Sequence, residues 1–469
     1  MGISLNPSTL LNGQGIDVST LVTESLSASD GQLTVWQEQL STLETQASDL
    51  TSMNNDLNSL ATAVQALSDP VGVFSAQTAA SSDTAVLTAT TSTTATAGTH
   101  EIVVNNLATQ GVVYTNDFAG GASASILPAG AGSGELDLDV GGTETPLTIT
   151  AGSNDTLTTL ASYINGQNLG VTASVVTDAN GSRLALISQA TGTAGLLAIG
   201  TNTTNLSFNT PTGGVDTSLT IDGVPYSSAS NTISSAIPGV TLNLVGADPS
   251  NPVQVTVGPD TSGITSAINS FVSAYNQVMN DINAQVTVSS STNQLGPLGT
   301  DGSVNFLQSS LLSDAAFSTT GNSGYVNLAS LGINTNNDGT LTVDSSQLAS
   351  ALSANPAAVV NFFQNTSATG FANNFNTDLS NLTSPTSGPL NTDLTQNTAE
   401  QKDLNTSISN FETQLQTEQT QLTNEFNAVN ASLEAYPLLL QEVTATLGTL
   451  STGSSSSSSS SSPTLTSGL

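Results

Sequence analysis

The chain has no cysteine, which removes disulfide frameworks, thiolate metal sites and cysteine nucleophiles at once. Base is nearly absent too: Arg183 and Lys402 stand against 35 acidic residues among 469, for a formal net charge of -33 at pH 7. Binding to nucleic acid or to an anionic membrane surface draws on Lys and Arg to neutralise phosphate, so both are poor partners, and no nucleic acid is expected. Acidic residues are not themselves numerous; the departure from ordinary composition is missing base. Two explanations stand side by side. One is work outside the cell in an acidic medium, where carboxylates with pKa near 4 are partly protonated and repel each other less; the other is compositional drift. No stretch approaches the ~18 consecutive apolar residues of a membrane-spanning helix, so no membrane insertion is expected. Met1 to Leu11 lack the charged and apolar regions of a secretory signal peptide. A chain with this start would leave the cell by a route that reads a different address. Missing cysteine by itself decides no compartment.

What is present begins with helical periodicity at both ends. Leu33, Trp36, Leu40, Leu43, Ala47, Leu50, Met53, Leu57, Leu60, Val64 and Leu67 step by threes and fours, one apolar stripe along more than thirty residues. The double step of three around Leu50 and Met53 resembles a stammer, which overwinds a supercoil locally without ending the helix. Asp69 and Pro70 end it, since proline cannot continue a helix. Toward the other end Leu404, Ile408, Phe411, Leu415, Leu422, Phe426, Val429 and Leu433 repeat the pattern among Gln, Glu, Asn, Ser and Thr. Such a pair suits a coiled coil or a packed helical hairpin. It equally suits two helices buried in one globular core.

Between the helices the chemistry turns to strands. Ala85 to Thr88 and Glu101 to Asn105 read as short strands, and the Gly-rich stretch from Gly120 to Gly134 as a loop between modules. Asp155 to Asn165 predicts a short amphipathic helix capped by Asn154 or Asp155. Val171 to Val176, the turn Asp178 to Gly181 and Leu184 to Ser188 predict a hairpin on its Asn-Gly pair. Leu219 to Val224, Ile237 to Leu244 and Val253 to Val257 predict three further strands. Helix returns from Ile264 to Val286; a hairpin with its turn at Asn336 to Gly339 precedes a helical run from Ser345 through Phe363. The nine serines from Ser454 to Ser462 predict a disordered tail, since they offer no apolar surface to offset ordering entropy.

Candidate chemistry is sparse. His100 is the only histidine; beside Glu101 it invites a base, yet neighbours on a strand face opposite ways and no Gly-x-Ser-x-Gly elbow or second histidine completes a triad. A strand-edge histidine is the plain reading. Asn334, Asn336, Asp338 and Gly339 begin like a calcium loop, but its twelfth position is Ser345, where a bidentate Glu is required, so a hairpin turn is expected. Asp137 and Asp139 share a strand face and read as solvated, with no pocket to place a catalytic partner. Trp36 lies on the apolar stripe and reads as packing. The chain is therefore expected to be no enzyme and to need no cofactor or metal.

Several stretches together resemble the bacterial flagellar hook-associated protein 2 family, the filament cap. They are Gly15 to Val22 ahead of the long helix; Phe74, Ala76 and Ala80 to Asp83; and Ala97 and Gly98 before Val103, Val104 and Asn106 to Ala108. Leu160, Ile164, Asn165, Val171, Ala173, Arg183, Leu184, Ser188 and Gly192 resemble the flagellin IN module of that family. Ile221 to Gly223, Asn231, Ile237 to Thr241, then Leu331 to Ile333, Gly339, Leu341 and Asp344, and finally Phe411, Glu412, Leu415, Leu422, Phe426 and Leu433 resemble its C-terminal region. Their joint order across nearly the whole chain carries the resemblance.

The resemblance implies an α+β multidomain fold in which terminal N- and C-helices form a coiled-coil or helical-bundle stalk around inserted β-rich domains. The expected division is a terminal helical region of 1–44 plus 396–450, a mixed helical domain of 45–70 plus 259–395, and a β-rich domain of 71–118 plus 213–258. An outer α+β, IN-like domain of 119–212 and a Ser-rich tail of 451–469 complete it. It also implies a ring-shaped homo-oligomer at the distal filament tip, contact with flagellin and hook-junction proteins, an export chaperone, and export without a cleaved signal peptide. The interface residues would be Leu33, Trp36, Leu40, Leu43, Leu50, Leu57, Leu404, Ile408, Phe411, Leu415, Leu422, Phe426, Val429 and Leu433. Family members usually carry Lys and Arg in these helices, where ion pairs help to set partner choice. Here Lys402 stands alone, so register must come from apolar packing and amide hydrogen bonds, and the serine tail extends past the usual end, where a chaperone would grip. A surface adhesin holding a glycan or host protein on its outer domains is the alternative; an extracellular hydrolase has no catalytic constellation behind it.

Overall fold

The computed structural model describes residues 17–452 except 291, 292, 366 and 368. Gly15 and Ile16 of the opening motif, and the serine run, lie outside the described residues.

Helix α1 runs Val18–Ser68 without a break through the double step at Leu50 and Met53. Asp17 starts it: its carboxylate accepts from the N–H groups of Ser19 and Thr20, two donors that a helix start leaves open. The hydrogen bond from the Thr20 hydroxyl, chiefly, holds that carboxyl below its ordinary range. At the far end Asp69 closes the helix ahead of Pro70.

The chain then enters a β-rich body. Strands β1 (Gln77–Ser81), β2 (Leu87–Thr91) and β3 (Gly98–Asn106) belong to it. After an excursion the chain returns with β10 (Thr217–Ile221), β11 (Val224–Ser228), β12 (Thr232–Ile237), β13 (Val240–Leu244) and β14 (Asp248–Pro259). A five-stranded sheet in the order β1-β14-β3-β10-β11 faces a three-stranded sheet β12-β13-β2. Ile102, Val104, Leu219, Leu242 and Val255 fill the space between them. Two stretches expected as single strands are hairpins. Asp222 and Gly223, both at positive φ, and Pro238-Gly239 turn the chain where hydrophobic content alone reads straight through.

The excursion is the outer module. It holds β4 (Gln110–Tyr114), β5 (Ser133–Val140), β6 (Thr143–Thr150), helix α2 (Leu157–Gly166), β7 (Val171–Asp178), β8 (Gly181–Thr191) and β9 (Leu197–Asn202). Sheets β4-β8-β7 and β6-β5-β9 close with α2 over Leu136, Leu138, Leu160, Ile164, Leu184 and Leu186. The Gly-rich stretch from Gly120 to Gly134 is no linker: Ile126 and Leu127 are buried in this core, and the Ile126 N–H donates to the Asp155 carbonyl. The cap of α2 is Thr156, in a reciprocal box with Thr159; Asn154 instead binds the Thr148 and Thr150 backbone.

A helical body takes up the rest. Its members are the lower half of α1, α3 (Thr261–Val286), α4 (Gly302–Ala315), hairpin β15 (Ile333–Thr335) and β16 (Leu341–Val343), α5 (Ser345–Ala354), α6 (Pro356–Phe363), α7 (Phe371–Leu382) and the start of α8 (Pro389–Thr452). The run expected from Ser345 through Phe363 is broken, because Asn355 caps a new helix with Pro356 in its first turn. Phe271, Phe362, Phe363, Phe371 and Phe375 meet at ring separations of 5.2 to 5.9 Å, mostly edge to face. Each buried aromatic contributes roughly 1.5–3 kcal/mol by leaving water.

Three asparagines repeat one device. Asn165, Asn231 and Asn276 each donate from Nδ2 to a backbone carbonyl and accept at Oδ1 from the N–H of the same residue, respectively Ala173, Ala108 and Leu341. The amide thus pairs with a strand as another strand would. Asn165 seals an edge of the outer module, Asn231 holds the chain where it crosses into that module, and Asn276 ties α3 to β16.

Candidate assembly surface

Above the helical body only α1 and α8 continue, and they run antiparallel. Asn54 Nδ2 donates to Asn391 Oδ1 at 3.0 Å, Asn397 Nδ2 to Gln46 Oε1 at 3.4 Å, and Gln401 Nε2 to the Leu43 carbonyl at 3.2 Å. Higher up, Trp36 meets Phe411 edge to face at 5.3 Å. Amides and one aromatic pair therefore set the register of this stalk, and Lys402 contributes no ion pair among the described residues. Such contacts are short-range and directional, so they specify alignment in the absence of charge.

The fourteen residues expected at an interface divide by depth. Leu50, at 2 % exposure, and Leu57, fully buried, belong to the helical core of the subunit itself. Ile408 is also buried, inside the stalk. The subunit's own helices cover these three side chains. Leu33, Trp36, Leu40, Leu43, Leu404, Phe411, Leu415, Leu422, Phe426 and Leu433 stay half-buried, and Val429 is exposed. One partner helix covers only part of an apolar stripe, which leaves the flanks of these side chains in water.

The strongest apolar exposure lies farther along α8. The stalk register brings the first described turn of α1 level with about Val429. Beyond it, Tyr436, Leu438, Leu439, Leu440, Val443 and Leu447 are each more than half exposed. Tyr436, Leu440, Val443 and Leu447 extend the step pattern from Leu433, so the pattern continues for another two heptads, about four turns. Sequence reading stopped at Leu433, although the same spacing would have found these residues. Pro437 sits among them and removes the N–H that would bond to the Leu433 carbonyl. Contiguous apolar exposure of this kind marks an interaction site on a soluble protein.

Sites considered for chemistry resolve otherwise. His100 lies on interior strand β3, not at an edge, and its Nδ1 is 2.8 Å from Asp222 Oδ2. That contact, with the Glu101 N–H, holds the Asp222 carboxyl below its usual range. No hydroxyl nucleophile faces the pair in any contact among the described residues. Asn336 to Gly339 form the expected turn, with Asp338 accepting from the Thr340 N–H and hydroxyl. Asp137 departs from expectation: it is buried, on the middle strand of its sheet beside Gly200, and its Oδ2 accepts from the Thr201 N–H. Among the described residues no three His, Asp or Glu side chains converge as metal ligands would, and no helix is long and apolar enough to cross a membrane.

Comparison with known proteins adds a second line. Three family models match: flagellar hook-associated protein 2 N-terminus over residues 14–111, flagellin hook IN motif over 135–190, and flagellar hook-associated protein 2 C-terminus over 214–436. The B-type flagellar hook-associated protein 2 of Pseudomonas aeruginosa is 31% identical over 412 residues, covering 81% of this chain and 85% of the relative. The chain belongs to the flagellar hook-associated protein 2 family. Another member, from Escherichia coli strain K12, is 28% identical over 373 residues, covering 74% of this chain and 78% of its own length. The crystal structure of the D1-D2-D3 domains of the Escherichia coli flagellar cap protein FliD superposes with a TM-score of 0.53 at 27% identity, over 75% of this chain and 99% of that one. The α+β arrangement of a long N-terminal helix, a long C-terminal helix and several sheets between them is thus the arrangement of flagellar hook-associated protein 2. This is a structural family and not a known enzyme family.

Proposed function

We propose that this chain caps the flagellar filament. Copies join into a ring at the distal tip through the half-covered stalk and the exposed α8 stripe, and hold exported flagellin where it can fold into the lattice. The carrying observation is the apolar stripe of α8 from Tyr436 to Leu447, exposed on a subunit of this family. A helix with that face in water is completed by other helices, and heterologous contacts repeated around an axis close into a ring. The work is done by shape and binding. We further propose the division of labour implied by the three separate cores: the terminal helical region of 1–44 and 396–450 assembles, the mixed helical domain anchors it, and the β-rich and outer modules stand outward from that base. Export without a cleaved signal peptide and a place outside the cell follow from the same reading.

In a strain lacking its own copy, the full chain is expected to restore filaments, and a chain ending at Ala399 to release flagellin into the medium without filament growth. Circular dichroism of the purified truncated chain is expected to retain the β cores. Filaments of normal length from the truncated chain would overturn the reading.

A further inference from the structure

The helical body contains two places where carboxyl groups meet across a helix interface with no cation to neutralise them. At the contact of α1 with α3, Asp281 lies against Asp56, with Asp49 also facing it from α1. Where α4 packs on α7, Asp314 lies against Asp378, and the Tyr275 phenol approaches from α3. Asp281 Oδ2 and Asp314 Oδ2 are both sealed from solvent and accept no hydrogen bond from any N–H or O–H of the described residues. Two of the other oxygens have amide donors: Gln277 Nε2 donates to Asp281 Oδ1 at 3.3 Å, and Gln285 Nε2 to Asp49 Oδ2 at 3.0 Å. The chain's two basic side chains are elsewhere, Arg183 bound to Asp117 and Asp178 in the outer module and Lys402 exposed on the stalk.

A buried acceptor without a donor costs free energy, and two carboxylates in contact cost more. One arrangement removes both costs: a single proton on each pair, which makes one carboxyl the donor and the other the acceptor. We propose that the helical body is locked by these two shared protons, so that it is held tightest in acidic surroundings and loosens as its carboxyl pairs ionise.

The direction follows from linkage. Burial first, and Asp378 next, push the Asp314 carboxyl up to about 8; burial first, then Asp56 and Asp49, push Asp281 well above the carboxylate range. Groups raised in the folded state take up protons on folding. The stability they support is complete below an unfolded value near 3.8, falls as pH rises, and is gone above about 8. Ionisation would load three carboxylates onto the α1–α3 contact, the joint from which the stalk rises, so the stalk base is the part that loosens. The proposal does not depend on what the stalk binds.

The test is thermal unfolding of the full chain followed at the helical ellipticity minimum, from pH 5 to pH 9, for the parent and for Asp281→Asn with Asp314→Asn. The parent's helical transition should fall by several degrees across the range, and the double variant, which keeps the shape but cannot ionise, should flatten that fall. Should the double variant not fold, Asp56→Asn with Asp378→Asn removes the partner charges instead and should reduce the fall in part, since burial still acts on Asp281 and Asp314. Infrared spectra near pH 6.5 should contain a protonated-carboxyl band that the variant with Asp281→Asn and Asp314→Asn loses. A parent transition that rises with pH, an unchanged slope in the variants, or no protonated band would overturn the proposal.

Discussion

Leu57 and Leu439 are the same side chain on the two terminal helices, and their surroundings give them opposite duties. Leu57 is fully buried among helices of its own subunit; Leu439 is 55% exposed. Leu57→Ala should therefore cost about 2–5 kcal/mol of stability, since it removes buried methyl groups and leaves a cavity. Leu439→Ala should change stability by less than about 0.5 kcal/mol. Urea denaturation followed by circular dichroism separates the two, and equal costs would contradict the assignment of depth. Sequence alone could not make this distinction. Periodicity states which face of a helix is apolar, whereas the identity of what covers that face depends on where α3 to α7 fall, and nothing local encodes that. For the same reason Asp137 read as solvated: its alternation within β5 was legible, while its cover beside Gly200 on β9, some sixty residues away, was not.

At the scale of elements, long amphipathic helices were legible and short connections were not. Helix α1 and its stop at Asp69 follow from spacing and proline, and α3 from the apolar run behind Asp260, whose carboxylate accepts from the Gly263 N–H. Helices α4 and α7 went unread although their buried residues, Val304, Leu307 and Leu311 in the first and Phe371, Phe375, Leu379 and Leu382 in the second, fall at helical spacing, because each is short. The hairpin of β15 and β16 was read correctly from its turn, yet its attachment was not. Asn276 supplies that attachment, with hydrogen bonds of 2.7 and 2.6 Å to the Leu341 backbone. Asn276→Ala leaves a part-buried N–H and carbonyl unpaired and should cost about 1–3 kcal/mol. Hydrogen exchange should show faster exchange at Leu341 in that variant; unchanged protection would mean that packing, and not the amide, holds the hairpin.

Over the whole molecule the chain is threaded as nested insertions. The outer module interrupts the β-rich body, which interrupts the helical body, and the two termini return to one another as α1 and α8. This nesting places α1 and α8 side by side, so that one end of the described molecule presents two helices with part of their apolar surface uncovered. Shortage of base shapes the same region. With no ion pairs available, amides align the stalk, and apolar side chains are left to choose the partner. An acidic surface without counter-charges favours association through apolar contact, because opposed carboxylates would repel at any interface built on charge.

The central claim is that the α8 stripe joins copies of the chain. Sedimentation velocity of the purified full chain at micromolar concentration, beside a variant carrying Leu440→Ser, Val443→Ser and Leu447→Ser, tests it most directly. The account predicts ring-sized oligomers for the parent and a monomer of unchanged helical content and unchanged melting temperature for the variant. A parent that sediments as a monomer, or a variant that assembles as the parent does, would contradict it.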